Sequence, residues 1–336
     1  MSHTITIQPS GHQFECDSSQ SVLEAALQSG FAVPYGCRNG ACGACMGRIV
    51  SGQVEYPNDV YVGMTLQGES DDKALLCQAR ACSDLELEVR EIGAAKDIQI
   101  KTLPVRVHRA ERLADDVIRL FLKLPATQRL PFLAGQYIDF LLKNGQRRSF
   151  SLANAPHDDA LLELHIRRVD EGFFTGFVFE RLKEKDLLRI EGPHGSFHLN
   201  EESDKPLILM AGGTGFAPIK SLIEHMIHTD DHRPVHLFWG VRNQPDLYLN
   251  HLAELWQKKH HQIQYTPVLS EAAADREWTG ERGWVHDSVI RHYADLSDHE
   301  VYCCGPPPMI EAAKHALKQQ GLNEEAFHFD SFEFNH

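Results

Sequence analysis

Positive charge is scarce along these 336 residues. Lys and Arg number 33 against 47 Asp and Glu, a net charge of −14 with His neutral. Binding nucleic acid calls for a basic face turned to phosphate, so no nucleic-acid partner is expected. Long apolar runs are missing too. No stretch approaches the roughly 18–20 apolar residues of a membrane span, so no span is expected. The first residues, MSHTITIQPSGHQFEC, alternate like a strand and lack a basic stretch followed by an apolar core. That pattern points to the cytoplasm, where structural disulfides are not expected. The 42% hydrophobic and 24% charged composition is that of a globular protein. At this length the chain suits two or three domains better than one core.

Eight cysteines are present, and their distribution is uneven. Cys37, Cys42 and Cys45 crowd into GCRNGACGACMGRIV with the spacing C-x4-C-x2-C, and Cys77 follows in ALLCQARA. This is the plant-type 2Fe-2S ligand spacing. Thiolates suit soft iron, and a negatively charged cluster needs backbone N–H groups aimed at its sulfurs. Gly36, Gly40, Gly43 and Gly47 let the backbone curl to supply them. The alternatives are a zinc knuckle or a redox disulfide. Zinc usually draws on two C-x2-C-like pairs, and only one is present. Cys16 and Cys82 are read as small packed hydrophobes.

Around this loop, TITIQPSGHQFEC reads as two strands about a Ser-Gly turn. SVLEAALQSGF reads as a helix ending at Gly30, and DLELEVRE as a closing strand. Residues 1–93 thereby resemble the plant-type ferredoxin fold, a β-grasp sheet with one helix. They hold 12 Asp/Glu against 5 Lys/Arg, half the chain's negative excess. Such a surface either steers a basic redox partner or serves solubility.

Residues 94–102 read as a linker. After it, PVRVHRAERLADDVIRLFLKLP and GQYIDFLLKNGQRRSFSLAN supply several short strands, with Asn144-Gly145 as a hairpin signal. Short strands at this spacing suggest an antiparallel barrel over 103–202. The RRSFS segment resembles the R-x-[YF]-S signature of the ferredoxin–NADP reductase superfamily, here Arg148, Phe150 and Ser151. The resemblance implies that Arg148 grips a flavin phosphate, Phe150 packs on the isoalloxazine and Ser151 reaches flavin N5. Phe150 stands where Tyr is common, so one hydroxyl contact would be lost. The same resemblance places His165, Ile166 and Arg167 against the ribityl and phosphate groups. Gly172 and Thr175 would open a helix whose N-terminus suits a pyrophosphate. The domain order implies FAD rather than FMN.

From Lys205 strands and helices alternate, which implies a parallel α/β sheet over 203–336. Gly212, Gly213, Thr214 and Gly215 follow the first strand, with Pro218 completing G-G-T-G-x-x-P. Small residues there let a dinucleotide pyrophosphate approach the helix. This motif and Cys304-Gly305-Pro306 again resemble the superfamily, which implies that Cys304 lies beside the nicotinamide. The alternative is an ordinary buried cysteine, and Cys303 should point to the opposite face. Arg242 either meets a 2′-phosphate, favouring NADPH, or stacks on adenine; the domain order favours NADH. Phe332 either covers the flavin or belongs to the last strand's core face. His225, His228, His232 and His236 show no zincin-like arrangement and are not read as a metal site.

The whole chain resembles the ferredoxin–FAD–NAD reductases of bacterial oxygenase systems. LAGQYIDFLLKNGQRRSFSLANAP and LLRIEGPHGSF carry a further likeness to the CDP-6-deoxy-Δ3,4-glucoseen reductases. The resemblance implies an oxidoreductase with Ser151 and Cys304 as catalytic residues and Cys37, Cys42, Cys45 and Cys77 on the cluster. Electrons would pass from NAD(P)H to FAD, to 2Fe-2S, and on to a protein acceptor, an oxygenase or dehydrase component. A free-standing flavin or dye reductase and a non-catalytic redox sensor or assembly subunit are the other readings.

Overall fold

The computed structural model describes residues 2–57, 63–66, 69–92, 98–271 and 278–332. The chain divides into two compact units, 1–98 and 99–336. Most of the expected linker's first half lies outside the described residues, and the strand after it already begins at Lys101.

In the first unit, β1 (Ser2–Gln8) and β2 (Gln13–Asp17) form an antiparallel hairpin. Helix α1 (Val22–Gln28) starts where Ser21 Oγ accepts the Glu24 N–H at 3.2 Å. Gly30, at φ +83°, turns the chain away after it. There follow β3 (Met46–Ser51), β4 (Val54–Glu55), α2 (Gly63–Leu66), β5 (Lys73–Leu75), β6 (Arg80–Ala81) and β7 (Leu85–Glu88). The main sheet runs β2-β1-β7-β3-β5, and β4 pairs separately with β6. Only β1 and β7 are parallel, at the centre. Alternation sends Ile5, Ile7, Leu85 and Leu87 into one core with Val22, Leu23 and Ala26 of α1. Cys16 is buried there as expected, but Cys82 is exposed. It follows the two-residue strand β6, which buries Ala81 and turns the next side chain to solvent.

The second unit opens with an antiparallel barrel: β8 (Lys101–Ala114), β9 (Val117–Lys123), β10 (Tyr137–Leu141), β11 (Arg147–Ser151), β12 (Leu162–Arg167), α3 (Phe173–Glu180) and β13 (Leu187–His194). The order is β11-β10-β13-β8-β9-β12, and a Leu152–Leu164 bridge joins the two outer strands. Gly145 turns the β10–β11 hairpin at φ +82°. Val105, Leu120, Ile138, Phe140 and Leu164 fill the interior.

The remainder is β14 (Leu207–Gly212), α4 (Phe216–His228), β15 (Val235–Val241), α5 (Asn250–Lys259), β16 (Ile263–Leu269), β17 (Glu281–Arg282), α6 (Val285–His292), β18 (Glu300–Gly305), α7 (Pro307–Gln319) and β19 (Phe327–Ser331). The strands are parallel in the order β17-β16-β15-β14-β18-β19. β14 is buried on both faces, as a parallel sheet covered on both sides requires. From β14 the chain moves first toward β15 and later returns to β18 on the other flank. The boundary between β14 and β18 is therefore the topological switch point, where such sheets open a crevice at their carboxyl ends. The GGTG and CGPP segments lie at those two strand ends.

Candidate functional site

In the first unit the expected ligands come together. Cys37 N–H points at Cys42 Sγ and Cys42 N–H at Cys37 Sγ, each at 3.4 Å. Gly40 and Gly43 adopt φ +87° and +76°, the left-handed region that lets the loop fold back on itself. Gly47 has a different use: on β3, an added Cβ would come 3.2 Å from Leu76 Cδ1. The loop is tied from outside by Thr65, whose hydroxyl donates to Gly40 O at 2.8 Å, and by Gln78, whose amide donates to Arg38 O at 2.7 Å. The sulfurs form two hydrogen-bonded pairs. The Cys42 bond pulls the Cys37 thiol down to about 6, overcoming burial, while the same bond and burial push Cys42 up. Cys77 is lowered and Cys45 raised in the same way. Four crowded sulfurs, half of them inclined to ionise and met by backbone N–H groups, fit an iron–sulfur cluster. Cys37, Cys42, Cys45 and Cys77 would hold it.

On the barrel, β11 alternates. Phe150 points toward Phe140 and Phe174, its ring 5.8 and 5.6 Å from theirs. Arg148 donates to Arg147 O and Gln146 Oε1, with no ion pair among the described residues, which leaves its charge to meet an anion. The opposite face is different. There Arg147 bonds Glu191, and Asp139, Glu191 and His194 lie close together. Arg147 already supplies the positive charge within that cluster.

On β12, Ile166 turns into the barrel core, while His165 is committed at both nitrogens, to Tyr248 at 3.0 Å and Glu163 at 2.9 Å. Any cofactor contact from these two residues runs through the main chain. Thr175 is likewise engaged, its hydroxyl bonding Val169 and Gly172 inside the turn before α3. No side chain caps the helix start at Gly172, and a Cβ there would strike Thr175 Oγ1 at 2.5 Å. These features fit an approaching phosphate.

At the switch point the two glycine-rich segments interlock. A Cβ on Gly215 would lie 2.1 Å from Cys304 O, and one on Gly212 would lie 2.6 Å from Met309 Sδ and 2.9 Å from Pro306 Cδ. A Cβ on Gly305, itself at φ +155°, would meet Gly212 Cα at 3.0 Å. Gly213 takes φ +54° beneath the Arg167 guanidinium. Two guanidinium nitrogens of Arg167, Nε and Nη2, are buried without a hydrogen bond, and its nearest acid is Asp116 at 3.3 Å. A half-buried cation over a left-handed glycine beside a helix start fits a pyrophosphate. Pro218 sits in the first turn of α4. Cys304 faces the core of α4 and β15, and Cys303 the opposite core, as strand alternation requires.

The sequence reading did not single out Asp330, at the end of β19. Its Oδ2 accepts from Ser151 Oγ at 3.3 Å and from Cys304 Sγ at 4.0 Å, so the three groups converge from the barrel and from two strands of the parallel sheet. Burial first, then the Asp330 charge, raise the Cys304 thiol well above its ordinary value and keep it protonated. The only available signal was an acid within the aromatic run FHFDSF. Phe332, the next residue but one, donates its N–H to Gly305 O at 3.0 Å and packs against the core containing Cys304. Glu271 was also missed. It follows β16 and lies 3.8 Å from Arg242 Nε.

Comparison with known proteins places three families along the chain. Residues 5–82 match the 2Fe-2S iron-sulfur cluster binding domain, 104–199 the oxidoreductase FAD-binding domain and 209–315 the oxidoreductase NAD-binding domain. The CDP-6-deoxy-L-threo-D-glycero-4-hexulose-3-dehydrase reductase of Yersinia pestis is 40% identical, over 99% of each chain. A terephthalate 1,2-dioxygenase reductase component from a Comamonas species is 37% identical, over 99% of this chain and 98% of its own. Among solved structures, the Amycolatopsis cytochrome P450 reductase GcoB matches with a TM-score of 0.80 at 31% identity, over 98% of both chains. No helix among the described residues is long and apolar enough to cross a membrane. Three domain matches in this order, joined to end-to-end likeness, make the chain a member of the iron–sulfur flavoprotein reductases, NAD(P)H-dependent electron-transfer oxidoreductases that use FAD and a 2Fe-2S cluster.

Proposed function

We propose that this reductase draws electrons from NADH and delivers them singly to a protein acceptor, an oxygenase or dehydrase component, in the cytoplasm. The observation that carries the reading is the meeting of Ser151, Asp330 and Cys304, which joins a flavin-type barrel strand to the dinucleotide crevice. We divide the chain into a ferredoxin domain (1–93), a linker (94–102), a FAD barrel (103–202) and a nicotinamide domain (203–336). When bound, the flavin supplies the exchange between two-electron and one-electron chemistry.

The chain's own groups bind and orient. Arg148 meets the flavin phosphate and Phe150 lies along the ring system. The uncapped start of α3 at Gly172 and Thr175, with the main chain of His165 and Ile166, borders the rest of FAD. Gly212, Gly213, Thr214 and Gly215 accept the nicotinamide dinucleotide, and Arg167, which the resemblance set against the flavin, lies over Gly213 and so faces the nicotinamide dinucleotide's phosphates instead. Asp330 accepts from both the Ser151 hydroxyl and the Cys304 thiol, and so fixes the rotamers of the two groups that flank the nicotinamide. Gly305 and Pro306 keep that wall thin, and Phe332 closes its edge. No proton needs to be moved by a side chain. NADH is favoured because Arg242 has Glu271 beside it, and a 2′-phosphate entering there would meet that carboxylate.

The acceptor class rests on likeness to reductases of a CDP-hexulose dehydrase and a dioxygenase. The test is Cys42→Ser. It should remove cluster absorbance, spare NADH-driven ferricyanide reduction and abolish cytochrome c reduction. Undiminished cytochrome c reduction would instead favour a free-standing dye reductase. No turnover by the wild type with any acceptor would favour a sensor.

A further inference from the structure

One strand of the barrel meets the parallel-sheet half with every second residue. Leu162, Leu164 and Ile166 of β12 fill the barrel core, so alternation sends Glu163, His165 and Arg167 the other way. Each touches a different piece. Glu163 Oε2 lies 3.3 Å from Lys220 Nζ of α4, His165 bonds the Tyr248 hydroxyl, and Arg167 lies over Gly213.

Lys220 is the unusual member. It is 3% exposed, on a helix whose other buried side chains are mostly apolar. A buried ammonium is tolerated only when its donors are met. Here three acceptors surround Nζ: Glu224 Oε2 at 2.7 Å, Ala153 O at 3.1 Å and Glu163 Oε2 at 3.3 Å. Glu163 is shared with Arg119 at 2.8 Å and with His165. The next residue on α4, Ser221, donates to Asn154 O at 2.7 Å. Ala153 and Asn154 are the second and third residues after Ser151. Two successive side chains of α4 therefore grip the main chain just beyond Ser151, and α4 begins immediately after Gly213–Gly215.

A buried ion pair is weak evidence of stabilisation, because an apolar pair of similar volume often serves as well. Three directional acceptors do something apolar packing cannot: they admit a single register. We propose that Lys220 is a positioning residue, setting the Ser151 segment against α4 and thereby the flavin-facing hydroxyl against the dinucleotide turn. This rests on the placement of FAD at Ser151 and of the nicotinamide at the switch point. Sub-ångström changes in that register are read out in rate, not in affinity, because each cofactor keeps its own binding residues.

The test compares Lys220→Met with Lys220→Arg in the full chain. Two measurements are made: amide hydrogen exchange over residues 152–155 without NADH, and stopped-flow flavin reduction by NADH. Lys220→Met should raise exchange at 152–155 while leaving β8 and β9 protected. It should slow reduction at saturating NADH by about 10- to 100-fold, with the NADH dissociation constant changed by less than about threefold. Lys220→Arg should largely restore both. Should Lys220→Met not fold, Glu163→Gln/Lys220→Met removes the pair together, and Ser221→Ala weakens the same grip with a smaller effect in the same direction. Unchanged exchange, an unchanged saturating rate, or an arginine variant as impaired as the methionine one would overturn the proposal. A wild type that takes up no FAD, or is not reduced by NADH, would overturn the functional reading instead. The exchange measurement would still decide whether Lys220 holds the segment.

Discussion

The cysteine loop of the first unit and the Ser151–Asp330–Cys304 meeting point of the second are built in opposite ways. Three of the loop's four thiols lie within nine residues, Cys37 to Cys45, and its geometry is local: left-handed glycines and N–H groups from neighbouring positions. The other site gathers a hydroxyl from β11 with a thiol and a carboxylate from β18 and β19, Ser151 lying 179 residues before Asp330 and Cys304 26 before it. A local site survives small shifts elsewhere in the fold. A site assembled at long range depends on whatever fixes its pieces together, and in this molecule that is a buried polar seam, not the site itself.

The contrast can be broken experimentally. The largest effect is expected from Cys77→Ser, which removes the one distant thiol of the local site. Iron and cluster absorbance should be lost and cytochrome c reduction should fall to background, while FAD and ferricyanide activity remain. Loss of FAD as well would mean the two regions are not independently built. Gly213→Val comes next. A β-branched residue at φ +54°, beneath Arg167, costs about 1–3 kcal/mol. The NADH KM should rise roughly 5- to 100-fold with flavin content unchanged; loss of flavin instead would exchange the roles given to the two halves of the second unit.

Asp330→Asn should act more gently. One acceptor is kept but its charge is lost, so turnover should fall by roughly tenfold with little change in KM. The Cys304 thiol should stay unreactive toward alkylation at neutral pH, because burial and not Asp330 is the main cause of its raised pKa. Rapid alkylation would contradict that order of causes.

The smallest effect on turnover is expected from acid, whose influence is read in stability instead. His236, buried in β15 against Tyr293 and Thr266, is lowered to about 4 by burial. Between its ordinary value near 6.5 and about 4 the unfolded chain binds the proton and the folded chain does not. Stability of the second unit should therefore fall as pH drops through that window, by on the order of 3 kcal/mol. Glu163 adds to the loss below pH 4.5. Burial alone would raise its carboxyl, but the His165 bond, the Lys220 charge and the Arg119 bond outweigh this and hold it well below the carboxylate range. Melting curves of wild type and His236→Phe at pH 5 and 7.5 provide the check, and an equal pH effect in both would contradict it.

The same contrast explains what could be read from sequence. The C-x4-C-x2-C spacing, the RRSFS strand and the GGTG and CGPP turns are contiguous, and each carries its chemistry in its order of residues. The three-part architecture followed from them and from the change of periodicity at Lys205. Asp330 could not be found that way, because an acid in an aromatic strand acquires meaning only when β19 is laid beside β18. Glu163 and Lys220 look like surface charges in one dimension and prove to be buried partners 57 positions apart. His165, read as a flavin neighbour, is drawn into the same seam, since its alternation partner on β12 is Glu163. Cys82 was misjudged because the strand that would have buried it is only two residues long.

The central claim is that nicotinamide, flavin and iron–sulfur sites operate in series. Its most direct measurement is an anaerobic NADH titration of the purified chain, followed by absorbance, with iron, sulfide and flavin assayed on the same sample. One FAD and one 2Fe-2S cluster per chain should be found, and both chromophores should bleach with NADH in the wild type but only the flavin in Cys42→Ser. An iron-free chain that resists reconstitution yet still reduces cytochrome c at full rate would contradict it.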